Sequence, residues 1–297
     1  TYLPANGTLI HASQVLELDI SIFRELVRAA LAEDIGSGDV TSEALLPGNA
    51  TGCAAITARE ELTIAGLGIA KLCFEETDPN IAIEQTANDG DCIDSSQSPL
   101  RLHGLAHSIL SAERTALNFL QRLSGIATLT SRYADAIKGT NAKLLDTRKT
   151  TPGWRALEKH AVACGGGTNH RMGLHDMVMI KDNHLAALRG ESNPIATAIK
   201  RAREKFPNLK IEVEADTLEQ AMQATNAGAD IILLDNMTPD QLRTAVEQTA
   251  GRCQLEASGG ITLVNIHAIA ETGVDFISVG ALTHSSPAAD LALDWLP

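Results

Sequence analysis

The chain has 297 residues, with 24 lysines and arginines against 37 aspartates and glutamates and a net charge of −13. Only 3% of its residues are aromatic. A nucleic-acid-binding surface needs basic groups and stacking rings, so this composition argues against a nucleic-acid partner. No apolar run approaches the roughly 20 residues that cross a bilayer, and we therefore expect no membrane segment.

Cysteine usage and the N-terminal sequence together predict a cytoplasmic protein. The five cysteines are scattered and form no Cys-x-x-Cys pair, so we expect reduced structural thiols and neither a zinc site nor a disulfide framework. Residues 1–14 lack the cationic and apolar regions of a signal peptide.

The first part of the chain predicts an α+β domain. Apolar residues at helical spacing predict a short helix over residues 20–34, and a loop marked by glycine and proline follows. Short alternating or apolar runs between residues 50 and 105 predict several strands, with one helix near residues 68–77. Residues 105–138 are strongly helical, and we predict two helices separated near Ser124-Gly125.

From residue 143 onward, strand-like and helix-like segments alternate, as in parallel β/α units. Strands are predicted at residues 143–145, 178–180, 209–213, 231–234, 254–255 and 276–279. Helices are predicted at residues 194–205, 218–227, 239–250 and 263–272. A doubly wound sheet and an α/β barrel both fit this alternation.

Charged residues at the ends of the predicted strands favour the barrel. Five apolar runs end in a charged residue: Asp146, Lys181, Glu214, Asp235 and Glu256. The C-terminal ends of barrel strands converge on one mouth, where barrel enzymes place their chemistry. Because we find six strands rather than eight, we predict an open, incomplete barrel.

Cations are concentrated in one segment of this acidic chain. Residues 146–184 contain six lysines and arginines, with four histidines among them. Such a cluster suits a small, multiply charged anion with phosphates or carboxylates. Gly165-Gly166-Gly167 in the same segment lets the backbone approach a ligand closely, and Arg171 can bind an anion through two parallel hydrogen bonds.

Two glycine-containing turns predict phosphate binding. Ser258-Gly259-Gly260 and Ser278-Val279-Gly280-Ala281 follow the last two predicted strands. Their backbone N–H groups can face an anion, and barrels often bind phosphate with their last two loops.

Glu214 and Asp235 form a pair of candidate functional carboxylates. Each ends a predicted strand, so both side chains could hold Mg²⁺, bind sugar hydroxyls or stabilise a developing carbocation at the mouth. Glu212 has the same strand parity as Glu214, so the sequence does not separate these two. No His-x-x-x-His pair or cysteine cluster accompanies the acids, and we expect no transition-metal site there.

Several motifs, in this order and spacing over nearly the whole chain, resemble the quinolinate phosphoribosyltransferases (nicotinate-nucleotide pyrophosphorylase, carboxylating). The motifs are Glu33-Asp34, Gly38-Asp39-Val40-Thr41, Glu113-Arg114-Thr115-Ala116-Leu117-Asn118-Phe119, Leu123-Ser124-Gly125-Ile126-Ala127-Thr128, Asp146-Thr147-Arg148-Lys149-Thr150, Gly165-Gly166-Gly167-Thr168-Asn169-His170-Arg171, Ile180-Lys181-Asp182-Asn183-His184, Leu233-Leu234-Asp235-Asn236 and Ser278-Val279-Gly280-Ala281-Leu282-Thr283-His284. Single motifs of this kind are weak, but the ordered set is highly specific.

The resemblance implies a fold, a reaction and an assembly. The fold would be an N-terminal α/β sandwich over residues 1–125 and an open α/β barrel over residues 126–285, with the tail near residues 286–297 packing back on the sandwich. The reaction would join quinolinate and phosphoribosyl pyrophosphate (PRPP), with Mg²⁺ and no organic cofactor. Its products would be nicotinate mononucleotide, pyrophosphate and carbon dioxide, in de novo NAD biosynthesis. The assembly would be a homodimer.

The resemblance also implies roles for the matching residues. The catalytic positions match Lys149, Lys181, Glu214 and Asp235, and the two acids would lie near the ribose and the metal. Arg114 would reach into the partner subunit's site. The other substrate-binding positions match Thr147, Arg148, His170, Arg171, Ser258, Gly259, Gly260, Ser278, Gly280 and His284. Within this set, Arg148, His170 and Arg171 would line the quinolinate pocket, and the 5′-phosphate would be bound by Ser258, Gly259, Gly280 and His284.

Three other interpretations stay open at this point. A Schiff-base aldolase would use Lys181 as its nucleophile. A non-catalytic anion-binding or regulatory protein could use the same scaffold. A relative with an altered substrate, associated with molybdate transport in some bacteria, would keep most of the motifs.

Overall fold

The computed structural model describes residues 18–297. Residues 1–17, to which the signal-peptide prediction refers, lie outside the described residues. The described chain forms two compact units. The N-terminal unit comprises residues 18–131, 156–166 and 285–297, and the barrel unit comprises residues 132–155 and 167–284.

The first part of the chain contains short strands and helices, after a 3-10 turn at Ile20–Phe23. In chain order the elements are α1 (Arg24–Ile35), α2 (Val40–Leu45), β1 (Thr51–Ala58), β2 (Leu62–Thr63), α3 (Leu67–Thr77), β3 (Ala82–Gln85), β4 (Cys92–Ile93), β5 (Leu100–Leu105) and α4 (Ala106–Ala136).

The second part alternates strands and helices as predicted. In chain order the elements are β6 (Lys143–Leu145), α5 (Arg155–Cys164), β7 (Val178–Ile180), α6 (Asp182–Ala187), α7 (Pro194–Lys205), β8 (Ile211–Ala215), α8 (Leu218–Asn226), β9 (Ile231–Asp235), α9 (Pro239–Thr249), β10 (Gln254–Ser258), α10 (Ile266–Ala270), β11 (Phe276–Ser278), α11 (Ala281–His284) and β12 (Leu291–Leu296). None of the helices within residues 18–297 has the length and apolar character needed to cross a bilayer.

The N-terminal unit is built on an antiparallel sheet of order β12-β1-β5-β3. Strand β12, from the end of the chain, pairs with β1 from Cys53↔Leu296 to Ala58↔Leu291. Neither β4 nor β12 was predicted from the sequence. Strand β4 has only two residues, which is too short to show an alternating pattern. Strand β12 is defined by its pairing with β1, which lies far away in the sequence.

Helix α4 is continuous, so the predicted break near Ser124-Gly125 is wrong. A Cβ at Gly125 would overlap the carbonyl oxygen of Pro287, so this glycine permits the close approach of another segment. Ser124 Oγ accepts a hydrogen bond from the amide of Ala65 at 3.1 Å. The serine and the glycine therefore serve tertiary contacts within the N-terminal unit instead of ending a helix.

The barrel unit contains six parallel strands in the order β6-β11-β10-β9-β8-β7. From β7 to β11, each strand pairs with the next one along the chain, and the sheet grows in one direction. A doubly wound sheet would reverse direction at a switch point. Strands β6 and β7 are the two outer strands of this sheet within residues 18–297, and they do not pair with each other, although the outer edge of β6 forms a parallel bridge with Thr168. The predicted open α/β barrel is confirmed.

Three predicted ranges in the barrel unit are wrong by two residues or more. Strand β8 spans Ile211–Ala215 instead of residues 209–213. Strand β10 continues to Ser258, so Glu256 lies in the middle of the strand and is buried, instead of ending it at the mouth. Helix α10 is shorter than the predicted range of residues 263–272, because Asn265 Oδ1 accepts a hydrogen bond from Thr262 N and forms a turn before the helix.

Candidate active site

Asp146, directly after β6, anchors the segment that follows the three glycines. The Asp146 carboxylate is fully buried and accepts hydrogen bonds from the amide of His170 at 2.8 Å and from Asn169 Nδ2 at 2.7 Å. These bonds fix the backbone at His170 and Arg171. Asp146 therefore positions His170 and Arg171, two of the predicted site residues.

Arg148 and Arg171 are held close enough together for their charges to interact. Burial, and then the charge of Arg148, lower the pKa of the Arg171 guanidinium. Arg171 Nη1 donates to the carbonyl oxygen of Met177 at 3.3 Å. Arg148 Nε is buried and has no hydrogen-bond partner among residues 18–297. Two neighbouring, partly dehydrated guanidinium groups are suited to binding a dianion.

His170 lies between two carboxylates in the interior of the barrel unit. Its Nε2 is 3.1 Å from Glu212 Oε2 and 3.3 Å from Glu256 Oε2, and all three side chains are buried. The structure thus separates the two glutamates of β8. Glu212 lies near the start of β8 and is buried beside His170, while Glu214 lies two residues further along, near the C-terminal end of the strand.

The three groups of this buried triad titrate together. Burial lowers the pKa of His170, but the carboxylates of Glu212 and Glu256 outweigh it and raise the pKa to about 10. Burial and the charge of Glu256 raise the pKa of Glu212 to about 7. The triad therefore retains a proton at neutral pH, and that proton belongs to the whole group.

A backbone hydrogen bond decides where the protons of the triad lie. The amide of Arg171 donates to His170 Nδ1 at 2.7 Å, which makes Nδ1 an acceptor and leaves the ring proton on Nε2. Although the carboxylates raise the pKa of His170, a ring whose Nδ1 accepts this bond does not carry a second proton. We therefore follow the hydrogen-bond geometry and assign the further proton of the triad to the Glu212–Glu256 pair. With Nε2–H facing two carboxylate groups and Nδ1 facing an amide, the ring of His170 is held in one orientation.

Carboxylates and a lysine meet at the ends of β7, β8 and β9. Lys181 forms an ion pair with Glu214. One oxygen each of Glu214, Asp216 and Asp235 lies within 4.8 Å of the other two. Burial, followed by the charges of Glu214 and Asp216, raises the pKa of Asp235. Like charges gathered in this way favour a cation, and carboxylate oxygens are the ligands that Mg²⁺ prefers.

Lys149 lies beside the second glycine turn. A Cβ at Gly280 would lie 3.0 Å from Lys149 Cδ and 3.1 Å from His284 Nε2. Thr283 Oγ1 donates to the carbonyl oxygen of Lys149 at 2.8 Å, and the amide of Lys149 donates to Thr147 Oγ1 at 3.1 Å. These contacts bring four predicted site residues together, and buried Ser278 ends the adjacent strand β11.

The first glycine turn depends on glycine for its conformation. Gly259 and Gly260 have φ angles of 91° and 61°. A Cβ at Gly259 would overlap Asn236 Oδ1 and would lie 3.0 Å from the amide nitrogen of Asn236. Ser258, the last residue of β10, accepts a hydrogen bond from the same amide at 2.8 Å. The turn therefore packs closely against the residue that follows β9.

Arg114 lies on α4 with its side chain exposed. It belongs to the N-terminal unit, whereas the other predicted site residues belong to the barrel unit.

The sequence analysis did not identify three structural features of this site. It did not include Asp216 in the carboxylate cluster, and it did not find the triad around His170. It also did not find the brace formed by Arg155, which donates to Thr150 Oγ1 and to the carbonyl oxygen of Met172, each at 3.0 Å. The charged side chains were visible in the sequence, but nothing local indicated that they meet.

The strand ends of this open barrel combine paired arginines, two lysines, a carboxylate cluster and two glycine turns. This combination defines a barrel enzyme for substrates that carry carboxylates and phosphates.

The chain belongs to the quinolinate phosphoribosyltransferase family. The family models for the quinolinate phosphoribosyl transferase N-terminal and C-terminal domains match residues 39–124 and 126–294. The chain is 44% identical over 272 residues to a probable nicotinate-nucleotide pyrophosphorylase [carboxylating] of Bacillus subtilis, covering 91% of this chain and 92% of that protein. The corresponding Mycobacterium leprae protein is 42% identical over 277 residues, covering 91% and 96%.

A solved structure is similar over almost the full length. The nicotinate-nucleotide pyrophosphorylase from Francisella tularensis is 41% identical and superposes with a TM-score of 0.90, covering 96% of this chain and 99% of that one. The family predicted from the motifs is thus confirmed, and the chain is a phosphoribosyltransferase.

Proposed function

We propose that this chain transfers the phosphoribosyl group of PRPP to the ring nitrogen of quinolinate and releases carbon dioxide, which agrees with its membership of the quinolinate phosphoribosyltransferase family. The products are nicotinate mononucleotide, pyrophosphate and CO₂, which places the reaction in de novo NAD biosynthesis. The observation that carries the proposal is the buried Nε of Arg148, which has no hydrogen-bond partner among residues 18–297 and whose guanidinium lies near enough to Arg171 to lower the pKa of Arg171. Two such guanidinium groups suit the two carboxylates of quinolinate.

The cations divide between the two substrates. Arg148 and Arg171 bind the ring carboxylates, and the anchored ring of His170 lines the same pocket. Lys149 and Lys181 neutralise the substrate carboxylates and the pyrophosphate. The two glycine turns, with His284, bind the 5′-phosphate through backbone N–H groups and an imidazole.

The carboxylates stabilise the charge that develops on the sugar. As pyrophosphate leaves C1′, positive charge grows on the ribose, and Glu214 and Asp235 favour it electrostatically. The same two acids, with Asp216 beside them, have the hard oxygen donors that suit Mg²⁺. Bound Mg²⁺ would offset the negative charge of the departing pyrophosphate.

The chemistry needs positioning and neutralisation by the protein. The nitrogen lone pair forms the bond to C1′ as the C1′–O bond breaks and its electrons leave with pyrophosphate. The quaternised ring then accepts the electron pair released when the adjacent carboxylate leaves as CO₂, and the resulting ring carbanion takes up a proton. No organic cofactor is required for either step.

The assembly we propose is a homodimer in which Arg114 acts in the partner's site. The exposed position of Arg114 on α4, in the N-terminal unit, supports this. We propose a cytoplasmic location, because all five cysteines are free, as expected in a reducing compartment. An aldolase is disfavoured, because Lys181 pairs with Glu214 instead of lying in the apolar pocket that activates a nucleophilic lysine.

The test is a Mg²⁺-dependent assay with PRPP and quinolinate labelled in the ring carboxylate that is lost, with nicotinate as the control substrate. We expect labelled CO₂ and nicotinate mononucleotide in equal amounts, and no nucleotide from nicotinate. If nucleotide formed from nicotinate, the assignment of phosphoribosyl transfer would stand, but the assignment of a decarboxylating reaction would be refuted. A folded protein that turned over neither substrate would refute the proposal.

A further inference from the structure

Three side chains of different chemistry converge within the N-terminal unit. Asp89 lies in the turn before β4, and His160 and Cys164 lie one helical turn apart on α5. One donor atom of each lies within 4.8 Å of the other two. His160 Nε2 is 3.0 Å from Asp89 Oδ2 and 3.4 Å from Cys164 Sγ.

One ring nitrogen serves both neighbours in this cluster. Because both short contacts fall on His160 Nε2, a purely hydrogen-bonded arrangement requires Asp89 Oδ2 and Cys164 Sγ to share a single N–H. A Cys-His-Asp nucleophile relay is excluded, because it needs the carboxylate on one ring nitrogen and the thiol on the other.

The distances from His160 Nε2 to Asp89 Oδ2 and to Cys164 Sγ resemble the distances between neighbouring ligand atoms around a bound metal ion. Zn²⁺ binds nitrogen, oxygen and sulfur at about 2.0–2.3 Å with tetrahedral angles, which places neighbouring ligand atoms about 3.3–3.6 Å apart. The observed separations of 3.0 and 3.4 Å lie close to these values. Two of the three separations therefore already have the lengths of a metal site, and the third, between the Asp89 carboxylate and Cys164 Sγ, is no longer than 4.8 Å.

The cluster is held in place by its surroundings. Asp89 Oδ1 accepts a hydrogen bond from the amide of Leu67 at 3.0 Å, which orients the carboxylate and leaves Oδ2 for the cluster. Gly90 gives the turn a φ of 96°, which favours glycine, and the turn packs against α5 at an ordinary contact distance, with the Cβ position of Gly90 3.4 Å from the carbonyl oxygen of Cys164. The side chains of His160 and Asp89 are 9% and 21% exposed, so an ion can enter from the carboxylate side.

We propose that Asp89, His160 and Cys164 form a binding site for one divalent transition-metal ion of the Zn²⁺ class. Thiolate and imidazole ligands select such ions over Mg²⁺, which prefers oxygen ligands and suits the carboxylate cluster of the barrel unit. On binding, the S–H bond of Cys164 breaks, a sulfur–metal bond forms and the proton goes to solvent. The ion joins the turn that contains Asp89 to α5.

This inference is independent of the proposed reaction and differs from the expectation drawn from the sequence. No zinc site was expected because the cysteines form no Cys-x-x-Cys pair. Asp89 and His160 are 71 positions apart, so no local motif shows the site.

The test uses the full chain, stripped of metal with a chelator and then titrated with Co²⁺ or Zn²⁺. We expect one equivalent of Co²⁺ to produce a thiolate-to-cobalt charge-transfer band, which Cys164→Ala abolishes. Zn²⁺ at a hundredfold excess over its Kd should raise Tm by about 4 °C in the wild type. Cys164→Ala should show no such rise.

Two control variants separate this site from other metal-binding groups. Cys253→Ala removes a half-buried thiol of the barrel unit, and Glu214→Gln weakens the carboxylate cluster. Both should keep the charge-transfer band. If the Cys164→Ala protein does not fold, His160→Gln gives the same comparison. No band in the wild type, or a band that survives in both Cys164→Ala and His160→Gln, would overturn the proposal.

Discussion

Two glutamates on one strand have different roles because they lie at different depths. Glu214, at the end of β8, pairs with Lys181 and stays within reach of solvent. Glu212 lies two positions earlier on the same face, fully buried beside His170 and Glu256. Burial of a carboxyl group next to another carboxylate favours its neutral form. We therefore assign the chemistry to Glu214 and the positioning of His170 to Glu212.

The raised pKa of Glu212 predicts a specific pH dependence of stability. The folded protein binds this proton more tightly than the unfolded chain does, with a pKa of about 7 against 4.5. Stability from this group is therefore complete below pH 4.5 and is lost as the pH rises to about 7. The loss is on the order of 3 kcal/mol. Glu212→Gln should flatten this decline, as measured by urea unfolding at several pH values.

Glu214→Gln is the matched control for that experiment. It should leave the decline of stability with pH in place and lower kcat by on the order of 10²-fold, since it removes a carboxylate that we propose faces the reacting sugar. An unchanged decline in Glu212→Gln would show that the triad does not hold the proton we assign to it.

Residues at strand ends could be predicted from the sequence, while buried partners could not. Lys181, Glu214 and Asp235 each follow an apolar run, and a barrel brings such positions to one mouth. The same rule misplaced Glu256, because β10 continues past it and turns its side chain inward. The depth of a side chain depends on where the strand ends, and the short apolar run gave that boundary too early.

At the scale of elements, the turn after β10 combines a backbone requirement with a contact. Gly259 has a positive φ and closely approaches Asn236. Gly228, between α8 and β9, has a φ of 84° but has nothing within 4 Å of its Cβ position. The two glycines thus share the conformational requirement, and only one of them also has the tight contact near the predicted phosphate site.

Gly259→Ala should raise KM for PRPP and destabilise the protein, because the added Cβ displaces the turn from Asn236. Gly228→Ala should cost only the roughly 1–2 kcal/mol of a positive φ, less than Gly259→Ala, and should leave KM for PRPP unchanged. Steady-state kinetics and thermal unfolding of both variants test this. Equal KM values for Gly259→Ala and Gly228→Ala would contradict a phosphate-binding role for the turn.

Regular elements were predictable where the signal is local. Strands β6 and β7 and helix α7 have the predicted bounds, because apolar runs, Pro194 at the helix start and charged ends mark them. The continuity of α4 was not predictable, because Gly125 is required by Pro287, which lies far along the chain. The same holds for β12, whose pairing with β1 is non-local.

At the scale of the whole molecule, charge distribution reflects the substrates. The chain has a net charge of −13, yet the barrel mouth gathers arginines and lysines for anionic ligands. One further cation, Arg114, belongs to the other unit and is exposed. In a homodimer, this arginine could enter the partner's site and complete the set of cations that bind the anionic substrates. It would also make catalysis depend on assembly, because each active site would then draw residues from two chains.

Mixed dimers test this arrangement. Arg114→Ala and Lys181→Ala should each be inactive as homodimers, since every site lacks one cation. In a hybrid dimer, the chain with intact Lys181 receives intact Arg114 from its partner, so one of its two sites is complete. Random reassembly of an equal mixture should therefore recover about one quarter of wild-type activity. Mixing Lys149→Ala with Lys181→Ala should recover none, because both lysines belong to the same barrel. Differential tags would verify that hybrid dimers have formed. If the mixture of Arg114→Ala and Lys181→Ala chains were then as inactive as the mixture of Lys149→Ala and Lys181→Ala chains, the trans role of Arg114 would be contradicted.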